Sequence, residues 1–397
     1  MSEPISFLLT EAALRAKQSA KWTAYGPEIL PAWIADMDFA LAPPIRAALN
    51  ARIALDDVGY PMAYPAAGLN TLFAERAAAR YQWSIEPDQV EFFSDVVQMI
   101  YLALLTLTDA GAGVIIQTPI YPPFLQSVAQ TGRRPVLCPL VPDARGYAID
   151  FAALEAACDA GTRLLLLCHP HNPSGRAFRR DELNALAEIV RRHDLLVISD
   201  EIHADIMLDE RAHIPFASLA DDLAARTITL TSASKAFNIA GLCVSCAVFG
   251  SSDLKRRFDQ LPGHVRGGRS ALGMAATSAA WRDGDPWLNT VLAQLRANRD
   301  YLASFVAANW PAVRHTPPEA TYLAWLDCRD LELAEEPWRF FLREAGVAVS
   351  QGPDFGAAGQ GFVRLNFATS PVILEAILTR MDRALLSVGK STSARHP

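Results

Sequence analysis

The sequence predicts an α/β fold: a large domain with a mostly parallel sheet flanked by helices, plus a smaller α+β domain. Three observations carry that expectation. The chain has 397 residues, more than a single hydrophobic core usually serves, so two domains are the natural expectation. Its middle alternates short apolar runs with amphipathic helical patterns, which is how a parallel sheet with crossover helices reads. From about Trp287 onward the pattern changes to one long helix and then mixed strands and helices.

Residues 48–286 are assigned to the large domain, and 1–47 together with 287–397 to the small one. The N-terminal segment, with Pro31, Pro43 and Pro44, crosses between them. Four apolar runs read as buried strands: Gly113–Thr118, Arg163–Cys168, Asp194–Ser199 and Arg226–Thr231. Between the second and third, Arg180–Arg191 has the apolar spacing of an amphipathic helix, completing a β-α-β unit. Leu242–Phe249 reads as a further buried strand. Past Trp287, a helix to about Trp310 precedes strands at Leu323–Asp327 and Gly361–Phe367.

Composition excludes several classes. Apolar residues make up 51% and charged residues 20% of the chain, and the net charge is −7; a nucleic-acid partner would need a basic face. Met1-Ser2-Glu3-Pro4 lacks the basic start and apolar run of a signal peptide. No uncharged apolar stretch approaches the ~20 residues that span a bilayer. The expectation is a cytoplasmic protein with no membrane and no nucleic-acid partner. Cys243 and Cys246 form a Cys-x-x-Cys, but on a strand they would face opposite ways and could not share a metal; all six cysteines are read as packed thiols. His169 and His171 have no carboxylate at ligand spacing, so no metal is expected. Gly389-Lys390-Ser391 imitates the end of a P-loop, but residue 384 is alanine and no strand precedes it.

In open parallel sheets, function gathers at the carboxyl ends of the strands. After the four runs come Pro119-Ile120-Tyr121, His169-Pro170-His171-Asn172-Pro173-Ser174-Gly175, Glu201-Ile202-His203 just past Asp200, and Ser232-Ala233-Ser234-Lys235. An aromatic ring, an amide, a carboxylate and an amine would share one rim, a set suited to a planar charged heterocycle. The chain has only five lysines, and Lys235 alone follows a buried strand and a Ser-Ala-Ser turn. An amine that is partly desolvated has a lowered pKa and serves as nucleophile and base.

The ordered series Asn172-Pro173-x-Gly175, Asp200-Glu201 and Ser232-x-Ser234-Lys235 resembles the fold-type-I pyridoxal-phosphate enzymes, the class I/II aminotransferases and their relatives, over nearly the whole chain. The resemblance implies that Lys235 holds pyridoxal 5′-phosphate as a Schiff base, that Asp200 pairs with the pyridine nitrogen, that Asn172 bonds the phenolic oxygen and that Tyr121 stacks on the ring. Lys235, Asp200 and Tyr121 are the expected catalytic residues. For the phosphate, Ser94-Asp95-Val96-Val97-Gln98 opens a helix, with the Asp95 side chain as N-cap and the N–H groups around Val96 and Val97 as donors. The hydroxyls of Ser232 and Ser234 are further candidates.

The strings Trp33–Phe39, Gly59-Tyr60-Pro61, Ser199–His203, Ser234–Asn238, Thr321–Leu326 and Gly361–Asn366 are similar to those of the MalY/PatB-type cystathionine β-lyases. By that resemblance Arg364 binds the substrate α-carboxylate, and Tyr60 reaches the phosphate from the partner subunit of a homodimer. His203, three residues after Asp200, is read either as a cofactor-binding residue or as a packed core histidine. Aspartate-aminotransferase-like members carry an arginine shortly after the lysine; Cys243 or its neighbours stand there here, which weighs against an ordinary aminotransferase. The expected activity is carbon–sulfur β-elimination on cystathionine or a related cysteine S-conjugate, an amino-acid metabolic reaction. An amino-acid aminotransferase is the alternative, and a regulatory binding protein on the same fold a third reading. Nothing in the sequence names what lies beyond the sulfur.

Overall fold

The computed structural model describes residues 7–61 and 68–391. Fourteen strands occur among them: β1 Leu30–Ala32, β2 Val90–Phe93, β3 Gly113–Thr118, β4 Arg134–Pro139, β5 Val141–Asp143, β6 Gly146–Ala148, β7 Thr162–Cys168, β8 Leu196–Asp200, β9 Thr227–Thr231, β10 Ser245–Phe249, β11 Arg314–His315, β12 Leu323–Asp327, β13 Val347–Gln351 and β14 Phe362–Asn366.

Seven of them form one sheet in the order β2-β10-β9-β8-β7-β3-β4, in which β10 alone runs against its neighbours. The inner strands are buried on both faces, which is why they read as unbroken apolar runs rather than alternations. Successive residues of β7 feed opposite cores. Leu164, Leu166 and Cys168 pack with the helix Val96–Leu107 on one face. Leu165 and Leu167 pack with Leu183, Leu186 and Val190 of the helix Arg180–Arg192 on the other. The edge strand β4 alternates buried with exposed residues and carries Pro135 and Pro139, as an edge tolerates.

The second sheet has the order β1-β13-β14-β12-β11. Its edge strand β1 comes from the N-terminal segment and pairs in parallel with β13. The helix Asp285–Asn309 begins two residues before the expected Trp287, because Pro286 fits its first turn. Within it Asn298 donates to the carbonyls of Phe367 and Thr369 at 2.9 and 2.8 Å, anchoring the chain after β14.

One sequence expectation is corrected. The strand expected from Leu242 begins only at Ser245, where pairing with Phe93 starts. Cys243 sits before it in a left-handed turn (φ 53°) and is exposed, whereas Cys246 is buried in β10. Cys243 is therefore not a packed thiol. No cluster of three His, Cys, Asp or Glu side chains that could hold a metal occurs among the described residues, and no described helix is long and apolar enough to cross a membrane. Met1–Pro4 lies outside the described residues.

Gly175 closes the turn that carries Asn172. Its φ is +71°, and a Cβ there would lie 2.2 Å from Pro318 Cβ and 2.9 Å from Pro318 Cα. Both the backbone angle and the collision oppose any side chain. Gly175→Ala is expected to cost about 2–4 kcal/mol, read as a lower urea midpoint with an unchanged slope.

Candidate active site

Strands β3, β7, β8 and β9 lie side by side and parallel, with Cys168 opposite Asp200 and Asp200 opposite Leu230. Their carboxyl ends therefore open at one level, and the side chains just beyond them meet. A cavity of about 410 Å³ is lined there by Tyr121, Asn172, Asp200, His203, Ser232, Ser234 and Lys235, by Ser94, Asp95, Val96 and Val97, and by Arg364 from β14. Eleven of the twelve residues expected at the site thus share one cavity. Tyr60 does not: it is fully exposed on a loop beside Arg269 and Ser270.

The Lys235 amine follows β9 on a short helix, Ala233–Ala236, and donates to the carbonyl of Ala35 at 3.0 Å. Desolvation lowers its pKa, and the positive Arg364 adds to this, while the carboxylates of Asp36 and Asp200 oppose it. The Asp200 carboxyl is buried and accepts one hydrogen bond, from Ile202 N at 3.0 Å. Burial pushes its pKa up to about 7, and the neighbouring Glu201 charge adds to the rise. The positive Lys235 opposes the rise, but Asp200 forms no ion pair among the described residues, and a protonated ring nitrogen would supply one.

Arg364 is 5% exposed and central in its sheet, facing Trp325 of β12 and Ser350 of β13. It donates to Asn172 Oδ1 at 2.9 Å, to the Trp33 carbonyl at 3.0 Å and to Ser350 Oγ at 3.0 Å, and its guanidinium lies over Phe355. Its Nε has no partner. Burial lowers its pKa to about 10, so it stays charged at neutral pH. Because Arg364 occupies Asn172 Oδ1, the amide of Asn172 presents its N–H₂ as donor to whatever lies in the cavity. His203 is buried edge-on to Tyr322, and its Nδ1 is unpartnered. Burial first, then the positive charges of Lys235 and Arg364, lower its pKa to about 3, so the ring is neutral. Burial raises the Tyr121 pKa, keeping that hydroxyl protonated.

At the far end of the cavity Asp95 caps the helix Val96–Leu107, accepting from Gln98 N at 2.8 Å. The N–H groups of Val96 and Val97 are left unpaired at the helix start, a place suited to a phosphate. Ser232 and Ser234 differ. Ser232 spends its proton on the Val244 carbonyl (2.7 Å) and accepts from Ser234 N (2.9 Å), so it is a helix cap and not a free donor. Ser234 has no side-chain partner among the described residues. The amine, the cation-seeking carboxylate, the amide donor and the anion-binding helix end together fit a phosphorylated pyridine aldehyde.

Sequence reasoning missed Ser245, whose buried hydroxyl lacks a partner on the cavity wall, and Tyr322, whose hydroxyl donates to Ala35 O at 2.8 Å. It also assigned no role to Ala35 and Asp36. Their contribution comes partly through the backbone, which leaves no mark in side-chain type.

A profile of the family described as aminotransferase class I and II matches residues 36–381. The cystathionine beta-lyase PatB of Bacillus subtilis is 35% identical, over 93% of this chain and 97% of its own. A solved structure described as OvoB is 41% identical, with a TM-score of 0.90 over 96% of this chain and 98% of its own. Cystalysin from Treponema denticola, whose structure contains a pyridoxal 5′-phosphate cofactor, is 30% identical, with a TM-score of 0.91 over 98% of this chain and all of its own.

The raised pKa of Asp200 has a measurable consequence for the protein stripped of small molecules. An acid whose folded pKa lies above its unfolded value contributes stability fully present below the unfolded pKa and lost as pH rises to about 7. Asp200→Asn in cofactor-free protein is therefore expected to melt at a higher temperature than the parent at pH 8. The gain should shrink steadily as pH falls toward 4, in paired calorimetric scans.

Proposed function

We propose, from the premise that this chain belongs to the aminotransferase class I and II family, that it is a pyridoxal 5′-phosphate-dependent carbon–sulfur β-lyase of the MalY/PatB cystathionine β-lyase type. The observation that carries the reading is the meeting of Lys235, Asp200 and Arg364 in one cavity, in a chain that aligns nearly end to end with a cystathionine β-lyase.

When bound, pyridoxal 5′-phosphate supplies an electron sink for the pair left at the substrate Cα. The other tasks fall to the chain. Lys235 would hold the cofactor through its ε-amine, and its Nζ, when free, would take the Cα proton of the substrate. Asp200, as a carboxylate, keeps the proton on the pyridine nitrogen, and that charge satisfies the buried carboxylate in return. Asn172, fixed by Arg364, donates from Nδ2 to the phenolic oxygen. Tyr121, Val96 and Val97 line the same cavity; Tyr121 would cover the ring, and Val96 and Val97 would bind the phosphate through their N–H groups. Arg364 orients the α-carboxylate, which fixes the Cα–H bond toward Lys235. A thiolate then leaves Cβ without a strong acid to assist it, since its conjugate acid has a pKa near 8.5. Hydrolysis of the remaining fragment yields pyruvate and ammonia.

The site is completed in a homodimer, with Tyr60 directed at the phosphate bound by the partner. Supporting this, Tyr60 stands fully exposed in a stretch of chain whose apolar side chains Ile53, Leu55 and Val58 are also exposed. The division into a large domain, 48–286, and a small domain formed by 1–47 and 287–397 is supported by the separation of the seven-stranded sheet from the five-stranded one. A cytoplasmic setting accords with the absence of a membrane-crossing helix among the described residues.

The direct test supplies cystathionine without any keto acid and follows pyruvate, ammonia and free thiol together. Equal release of all three over many turnovers is the expected result. One half-turnover that stalls, then resumes when a keto acid is added, identifies an aminotransferase instead.

A further inference from the structure

Residues 33–37 run between β1 and the helix Pro43–Ala54 without belonging to helix or strand, and Ile34, Ala35 and Asp36 line the cavity. A segment of this kind would ordinarily satisfy its carbonyls with water. Here five carbonyls in succession are held by side chains from elsewhere in the chain. Trp33 O accepts from Ser350 Oγ at 2.5 Å and from Arg364 at 3.0 Å. Ile34 O accepts from Asn366 Nδ2 at 2.6 Å. Ala35 O accepts from Tyr322 at 2.8 Å and from Lys235 Nζ at 3.0 Å. Asp36 O accepts from Asn366 Nδ2 at 2.7 Å and from Lys21 Nζ at 2.9 Å. Met37 exchanges two bonds of 2.8 Å with the Asn238 side chain. Lys21 is fixed in turn by the buried Asp38, which also accepts from Trp22 Nε1.

Of these carbonyls, only that of Ala35 meets the reactive amine. We propose that the Ala35 carbonyl is the seat of the Lys235 amine whenever it is not joined to the cofactor, with Asn366 and Asn238 as the positioning residues that fix it and Tyr322 as a second donor that competes for its oxygen. The inference rests on the reading of Lys235 as the base. A neutral amine that gives one N–H to Ala35 O has its lone pair directed away from that oxygen. As the base takes the Cα proton, the C–H pair stays with the substrate and Nζ becomes an ammonium. Its bond to Ala35 O then becomes charge-assisted and stronger, so the seat stabilises the lysine cation as it forms.

The charged and titratable groups facing Lys235 are Asp36 on this segment, Asp200 at the end of β8 and His203 just beyond it, Arg364 on β14, and Tyr322, which shares its acceptor. The two kinds of neighbour act in opposite senses. Asn366 holds the carbonyl in place, so losing it removes an acceptor and disfavours the ammonium. Tyr322 competes for the same oxygen, so losing its hydroxyl leaves Ala35 O a better acceptor and favours the ammonium.

The experiment uses the full-length chain stripped of cofactor and reacted with pyridoxal, which lacks the phosphate, followed by borohydride trapping over a range of pH. The midpoint of the trapping rate reads the Lys235 amine. Asn366→Ala is expected to move it down by about one pH unit, and Tyr322→Phe to move it up by about half a unit. In the loaded enzyme Asn366→Ala should lower kcat roughly tenfold with little change in KM, as expected when a base is mispositioned. Midpoints that stay in place, or that move together in one direction, overturn the seat. If Asn366→Ala does not fold, the upward shift of the conservative Tyr322→Phe decides alone. Product stoichiometry from cystathionine is independent of both midpoints, so failure of the seat and failure of the lyase reading are separately visible.

Discussion

The site depends on the parallel register of β7, β8 and β9. Pairing of Cys168 with Asp200, and of Asp200 with Leu230, sets the carboxyl ends of three strands at one height. The loops that leave them must therefore place Asn172, Asp200 and Lys235 around one space. A slip of one residue in β8 would turn Asp200 to the opposite face of the sheet. The opposed packing of Ile198 and Val197 of β8 into the cores on the two faces resists such a slip, because it would carry both side chains into the wrong core.

The second sheet contributes the charge that the first lacks. Arg364 reaches the cavity from β14 and fixes Asn172 through a 2.9 Å bond, so the cation proposed to bind the substrate and the amide proposed to hold the cofactor are set by one contact. Burial pushes the pKa of Asp200 up and those of Lys235, Arg364 and His203 down. Each of these groups is held away from its ordinary charge balance until a ligand supplies the complement. That is the electrostatic pattern of a binding site and not of a structural ion-pair network. The buried Lys21–Asp38 pair at 2.8 Å shows the contrast, since each partner there already has its counter-charge.

Much of this was legible in the sequence, and for a physical reason. Strands buried on both faces must be continuous apolar runs, so β3, β7, β8 and β9 stood out, and the polar residues just beyond them had to be the rim. Lys235 was conspicuous because lysine is scarce in this chain and rarely follows a buried strand. Strand β2 was not legible, because Glu91 interrupts it; that carboxylate is buried against Lys255, Arg266 and Arg269, partners that lie more than 160 residues away. Cys243 was misplaced because an apolar run does not reveal where pairing begins. The segment around Ala35 escaped assignment because it acts through carbonyls, whose position depends on Asn238 and Asn366 and not on the side chains of the segment itself.

The central claim is that Lys235 is the covalent anchor of the cofactor. It is tested most directly by borohydride reduction of the purified protein, followed by peptide mass mapping. A single phosphopyridoxyl adduct is expected on the peptide containing Ser232-Ala233-Ser234-Lys235, and none in Lys235→Ala. An adduct on Lys17, Lys21, Lys255 or Lys390 in the parent protein, or a reducible adduct that survives in Lys235→Ala, would contradict it.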